Sequence, residues 1–103
     1  MTEHWIRVIE TDAVPQDDVI GVSVEGRQLA VAKVGDTVYA VDNICTHGNA
    51  RLCDGFLDGY ELECPLHQGK FDIRTGKALC EPLTEDSVAY PIKLEGGFVL
   101  VRI

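Results

Sequence analysis

Between Asn43 and Phe71 the chain leaves no room for a long regular element. Glycines at 48, 55, 59 and 69, two of them in the turn dipeptides Asp54-Gly55 and Asp58-Gly59, break the segment into tight reversals. Set into these reversals are two Cys–His pairs, Cys45-Thr-His47 and Cys64-Pro-Leu-His67. The 27 residues from Cys45 to Phe71 hold two of the three histidines and three of the four cysteines of the chain. A loop-built segment of this length buries little apolar surface by itself. A chain that contains it needs a core elsewhere, a bound metal, or both.

The flanks supply the core. Val19–Gly26 alternates, with Val22 and Val24 on one face. Gln28–Val34 and Thr37–Val41 flank Gly35-Asp36, a two-residue hairpin signal. Ile92–Leu94 and Phe98–Ile103 flank Glu95-Gly-Gly97, a second hairpin, and Trp5–Val8 reads as an opening strand. Tyr60–Glu63 reads as a short strand, and Phe71–Ile73 is expected to pair with Lys77–Leu79 across Arg74–Gly76. No window of helical length keeps a 3.6-residue period, so helix is limited to short turns, at Asp12–Asp17 or Pro82–Ser87. The class is all-β.

With 103 residues the chain is expected to form one domain. No apolar run reaches the ~18 residues of a membrane span. The N-terminal MTEHWIRVIETD has neither a basic segment nor an apolar h-region, so no secretory signal is expected and the protein is placed in the cytoplasm. In that reducing compartment four cysteines argue for metal binding or burial before disulfides. Net charge is −8, from 17 acidic and 9 basic residues, with no Arg/Lys cluster to meet phosphates. Nucleic acid is therefore excluded as a partner. The charge either serves solubility or steers the chain toward a basic protein surface.

Zinc and iron–sulfur clusters both accept a set of two thiolates and two imidazoles. A Cys2His2 finger places both cysteines first and carries its histidines on a helix, whereas the order here is Cys-His then Cys-His with no helix. A plant-type cluster needs C-x4-C-x2-C, yet the gaps between cysteines 45, 53, 64 and 80 are seven, ten and fifteen residues. A zinc-bound interaction module remains the alternative of a different class.

The pattern C-x-H-x16-C-x2-H resembles the cluster-binding signature of Rieske [2Fe–2S] proteins. Over essentially its full length the chain resembles the small Rieske-type ferredoxins of bacterial aromatic-ring-hydroxylating dioxygenase systems, most nearly the naphthalene dioxygenase kind. Thr46, Gly48, Pro65, Gln68-Gly69 and Thr75–Ala78 share in the likeness. It implies an antiparallel β sandwich or barrel, a single domain over 1–103. Within it, a cluster-binding subdomain at 43–71 stands on a β base of 1–42 and 72–103. It also implies one [2Fe–2S] cluster, with Cys45 and Cys64 on one iron and His47 and His67 on the other through Nδ1. Gly48, Pro65, Gly69 and Phe71 would surround it, the glycines letting backbone approach the sulfides and Phe71 covering the site.

The implied role is that of a one-electron carrier rather than an enzyme. Its partners would be an NADH-dependent flavin reductase and the terminal oxygenase of a multicomponent aromatic-ring dioxygenase. A ring-hydroxylating monooxygenase, or an assimilatory nitrite reductase with this chain as its small Rieske subunit, are the neighbouring readings. A mononuclear iron site cannot be assembled, because only His4 is left once His47 and His67 are used. A nicotinamide site is also missing, since there is no G-x-G-x-x-G.

In respiratory Rieske proteins, the positions that match Ala50 and Leu66 hold a disulfide and the position that matches Gly69 holds a serine donor. Their absence here points to the low end of the ~−150 to +300 mV Rieske range. Cys53 and Cys80 are expected as reduced thiols and His4 as a surface residue. Asp42, Asp54 and Asp58 read as solvated loop residues with docking as a further role.

Overall fold

The computed structural model describes residues 4–46, 50–66, 69–80 and 85–103. Its strands are β1 (Trp5–Glu10), β2 (Val19–Val24), β3 (Arg27–Val34), β4 (Thr37–Asp42), β5 (Phe56–Asp58), β6 (Glu61–Glu63), β7 (Lys70–Asp72), β8 (Ile92–Glu95) and β9 (Phe98–Arg102). They form three sheets of three, in the orders β1-β9-β8, β2-β3-β4 and β5-β6-β7, with every named strand pair antiparallel. Among the described residues no closed barrel forms, so the architecture is a sandwich of open sheets.

Turn chemistry places most of the strands. Val34 faces Thr37 across Gly35-Asp36, and Gly35 takes φ +61 at the first central position, the pattern of a II′ turn. Glu95 joins β8, so the last hairpin turns on Gly96-Gly97 alone, both with positive φ. β2 and β3 meet through Glu25-Gly26, a type I′ pattern that puts a glutamate at φ 47. The strands expected at Trp5–Val8 and Tyr60–Glu63 are present as Trp5–Glu10 and Glu61–Glu63. The Phe71–Ala78 pairing is present as a single bridge beyond β7. Strand β5 was not foreseen, because FLD between two Asp-Gly turns is too short to show a period.

The expected turn near Asp12–Asp17 is a 3-10 turn at Thr11–Ala13, and a second 3-10 turn, unforeseen, spans Leu52–Asp54. Of the turn expected at Pro82–Ser87, residues 82–84 lie outside the described residues.

Strand β3 is the centre of the molecule. Leu29, Ala30, Val31 and Ala32 are all fully buried, so both of its faces are covered. Leu29 and Val31 join Val38, Val99 and Val101 in one apolar cluster, under the β1-β9-β8 sheet. Ala30 and Ala32 turn the other way and meet Cys45, Leu52, Leu62, Cys64, Phe71 and Ile73. The second cluster packs the cysteine-bearing loops onto the central sheet, and the small alanines let them come close.

Candidate metal centre

Cys45 and Cys64 stand at equivalent places in two hairpins. In the first, Ile44 bridges Arg51 and the Cys45 N–H donates to the Ala50 carbonyl at 2.9 Å. In the second, Glu63 pairs with Lys70 and the Cys64 N–H donates to the Gly69 carbonyl at 2.7 Å. Each cysteine therefore occupies the last rung before a span of four residues, 46–49 or 65–68. His47 is second in one span and His67 is third in the other; both lie outside the described residues. Gly48 also lies outside them.

Both thiols are withdrawn from water, Cys45 at 3 % and Cys64 at 0 % exposure, in one cluster with fully buried Phe71. None of the four cysteines is in a disulfide. Gly69 is buried while Pro65 is exposed. Among the described residues no three of His, Cys, Asp and Glu converge. The donors that the two described rungs supply are the sulfurs of Cys45 and Cys64. Hard cations such as calcium and magnesium require oxygen ligands, whereas thiolates suit zinc and iron–sulfur clusters. The chemistry of the donor set fits an iron–sulfur cluster held from two loops.

The first hairpin is secured at its base by a residue that the sequence did not single out. Asn43 is 3 % exposed, and its carbonyl accepts the Leu52 N–H at 2.6 Å. Its Oδ1 accepts the Cys53 N–H at 2.8 Å and its Nδ2 donates to Cys53 Sγ at 3.2 Å. An asparagine amid loop residues reads as a turn former, and nothing in local spacing ties it to a cysteine ten positions on.

A strap over 85–90 was equally invisible. Its Glu85 carbonyl accepts from Thr46 Oγ1 at 2.8 Å, Ser87 N–H donates to the Gly76 carbonyl, and Ala89 bridges Val41. Gly76, at φ +79, sits so close to the strap that a Cβ would lie 2.5 Å from the Ser87 carbonyl oxygen.

Asp42 departs from its expected role as a solvated loop residue. It ends β4, and its carboxylate accepts the hydroxyl of Tyr90, which Arg27 also meets. Burial first, and then the hydrogen bond to Asp42, push the Tyr90 hydroxyl above its ordinary range. Asp54 is exposed and pairs with Arg51 at 3.1 Å, Asp58 ends β5 exposed, and His4 is exposed near Glu25 at 3.5 Å.

The Rieske [2Fe-2S] domain family matches this chain over residues 4–91. The naphthalene 1,2-dioxygenase system ferredoxin component of Pseudomonas aeruginosa is 54% identical over 103 residues, 100% of this chain and 99% of that protein. The Sphingomonas yanoikuyae B1 ferredoxin superposes with a TM-score of 0.92 at 39% identity, covering 97% of this chain and 99% of that one. The complex of reduced oxygenase and oxidized ferredoxin in carbazole 1,9a-dioxygenase contains a chain that superposes at 0.88 with 35% identity, covering 95% of this chain and 92% of its own.

Proposed function

This chain belongs to the Rieske [2Fe–2S] domain family and, within it, to the ferredoxin components of bacterial aromatic-ring dioxygenase systems, and we propose that it carries single electrons from an NAD(P)H-dependent flavin reductase to the terminal oxygenase of such a system. It is a transfer component and performs no catalysis of its own. The observation that carries the reading is the matched placement of two buried cysteines on the last rungs of two hairpins.

Cys45 and Cys64 would hold one iron as thiolates, and His47 and His67, from the spans those rungs close, would hold the other. Such a cluster, when bound, supplies one-electron chemistry at a higher potential than an all-cysteine cluster, because two thiolate charges are replaced by neutral imidazoles. Residues 43–71 act as the holding unit, and 1–42 and 72–103 act as its support. Phe71 and Leu62 keep water from the thiol side of the site. Gly69 offers no side-chain donor, which supports a potential low in the Rieske range.

The chain also has a surface suited to brief contact. Ile44 precedes Cys45, Leu66 follows Cys64 by two, and Phe56 pairs with Glu63; these side chains are 46%, 62% and 69% exposed. Leu79, 43% exposed, donates its backbone N–H to the Lys70 carbonyl beside Gly69. Four apolar side chains thus rim the loops on a chain of net charge −8, as a small transient interface with a partner of opposite charge requires. No helix among the described residues is long and apolar enough to cross a membrane. Four cysteines without a disulfide suit the reducing cytoplasm.

Anaerobic potentiometric titration followed by EPR tests the reading. A rhombic signal with lower average g than all-thiolate clusters, titrating at about −150 mV, is expected. A colourless, zinc-containing protein would overturn electron transfer, and a midpoint well above 0 mV would overturn the low-potential assignment alone.

A further inference from the structure

The 3-10 turn at Leu52–Asp54 opens with N–H groups that need acceptors, and its own flanking residue, Arg51, gives no side-chain cap. Asn43 meets the need from across the hairpin, with its carbonyl on the Leu52 N–H and its Oδ1 on the Cys53 N–H. Because a backbone N–H can only donate, the amide oxygen must face it, which leaves Nδ2 to donate to Cys53 Sγ. The Asn43 backbone N–H is in turn held by the carbonyl of Gln28, in β3, at 2.9 Å. From below, Gly21 of β2 completes the fit: a Cβ there would lie 2.8 Å from Cys53 Sγ and 3.1 Å from Asn43 Nδ2. Polar groups this deeply placed are costly to leave unpaired, so the arrangement has one satisfied geometry.

We propose that Asn43 is a positioning residue for the metal centre, capping the return arm of the first hairpin through Cys53 and thereby setting where the Cys45 thiol stands. The inference rests on Cys45 being an iron ligand. Asn43, Ile44 and Cys45 are consecutive, and their partners Leu52, Arg51 and Ala50 run down the facing arm, so a slip at the Asn43 rung passes directly to the Cys45 rung. Cys53 acts through its backbone N–H and as a thiol acceptor, without touching the metal.

The test uses purified holoprotein and reads iron release to a strong ferrous chelator together with the EPR line shape. Asn43→Ala removes the cap and is expected to speed iron release at least tenfold, at a temperature where the far-UV circular dichroism is unchanged, and to broaden or split the EPR signal. Asn43→Asp keeps an acceptor for the Cys53 N–H but loses the donor to Cys53 Sγ, and is expected to release iron more slowly than Asn43→Ala, with a single signal. Release and line shape that match wild type in Asn43→Ala, whatever the melting temperature does, would overturn the proposal.

Should Asn43→Ala not fold, Gly21→Ala presses on the same pair from β2. It is expected to speed release about threefold, and an unchanged rate there would equally overturn the proposal. A wild-type protein that holds no cluster would instead refute the ligand assignment itself.

Discussion

Replacing Gly55 with alanine is a severe single-methyl perturbation. Its backbone, at φ −92 and ψ −152, is extended and open to any residue, so the demand for glycine is one of space. A Cβ would lie 1.8 Å from the Glu63 carbonyl oxygen, 3.0 Å from its carbon and 3.2 Å from Pro65 Cδ. Ordinary contact begins near 3.4 Å, so the carbonyl must retreat by about 1.6 Å. Overpacking costs about 1–3 kcal/mol where side chains can yield. Here the obstacle is backbone, and relief means parting β5 from β6 at the Phe56–Glu63 rung, about 1 kcal/mol more for each hydrogen bond lost.

The expected destabilisation is therefore about 3–5 kcal/mol, a fifth or more of the ~5–15 kcal/mol stability of an ordinary domain. At about 4–8 °C per kcal/mol, melting should fall by at least about 12 °C. Because Glu63 adjoins Cys64, iron content should fall with it. Thermal denaturation followed by far-UV circular dichroism, with iron assayed on the same sample, measures both. Gly35→Ala is the control: nothing lies within 4 Å of its Cβ, and only the φ of +61 is strained, at about 1–2 kcal/mol. A Gly55→Ala protein melting within about 2 °C of wild type with full iron would refute the close-approach argument.

Glu25→Asn should raise stability by about 0.5–1 kcal/mol, since asparagine tolerates the left-handed conformation that glutamate occupies at φ 47. The exposed contact to His4 that it gives up contributes little. A higher urea midpoint at unchanged slope is the expected result, and a lower midpoint would count against the turn assignment.

Tyr90→Phe should cost about 1–2 kcal/mol by leaving Asp42 without its donor. The folded state raises the Tyr90 pKa, so its contribution is whole below the ordinary value near 10.0 and is lost as pH rises through the folded value. Wild type and variant should therefore converge in stability at high pH, and a constant gap would refute the linkage.

Asp72 runs the opposite way. The Arg74 guanidinium, at 3.0 and 2.9 Å, holds its carboxyl below the usual 3.8, so its contribution is present above that value and is lost as pH falls through the folded one. Asp72→Asn should flatten the acid limb of a stability-against-pH curve, and an unchanged limb would show that the pair is without effect.

Where the chain turns was legible, because turn chemistry is a property of one or two residues. Gly35-Asp36 and the Gly96-Gly97 pair announced themselves through the backbone freedom of glycine, and the alternating runs beside them became β3, β4, β8 and β9. Glu25-Gly26 gives no such signal because glutamate is a poor occupant of such a turn, and β5 gives none because three residues show no period. The Cys–His pairs stood out for a related reason: few residue types ligate iron, and a tight loop brings two of them together only at short spacing.

Other features depend on neighbours far along the chain. The pairing of β1 with β9 joins the two ends of the chain, and no local pattern specifies that register. Gly55 is required by a carbonyl eight residues away, Asn43 by an N–H ten residues away, and Gly76 by a strap eleven residues on. Conformational preference and ligand spacing act within a few residues and can be read from the order of amino acids. Close approach and the pairing of buried polar groups arise only when the sheets pack, and they set how the cysteine loops are held.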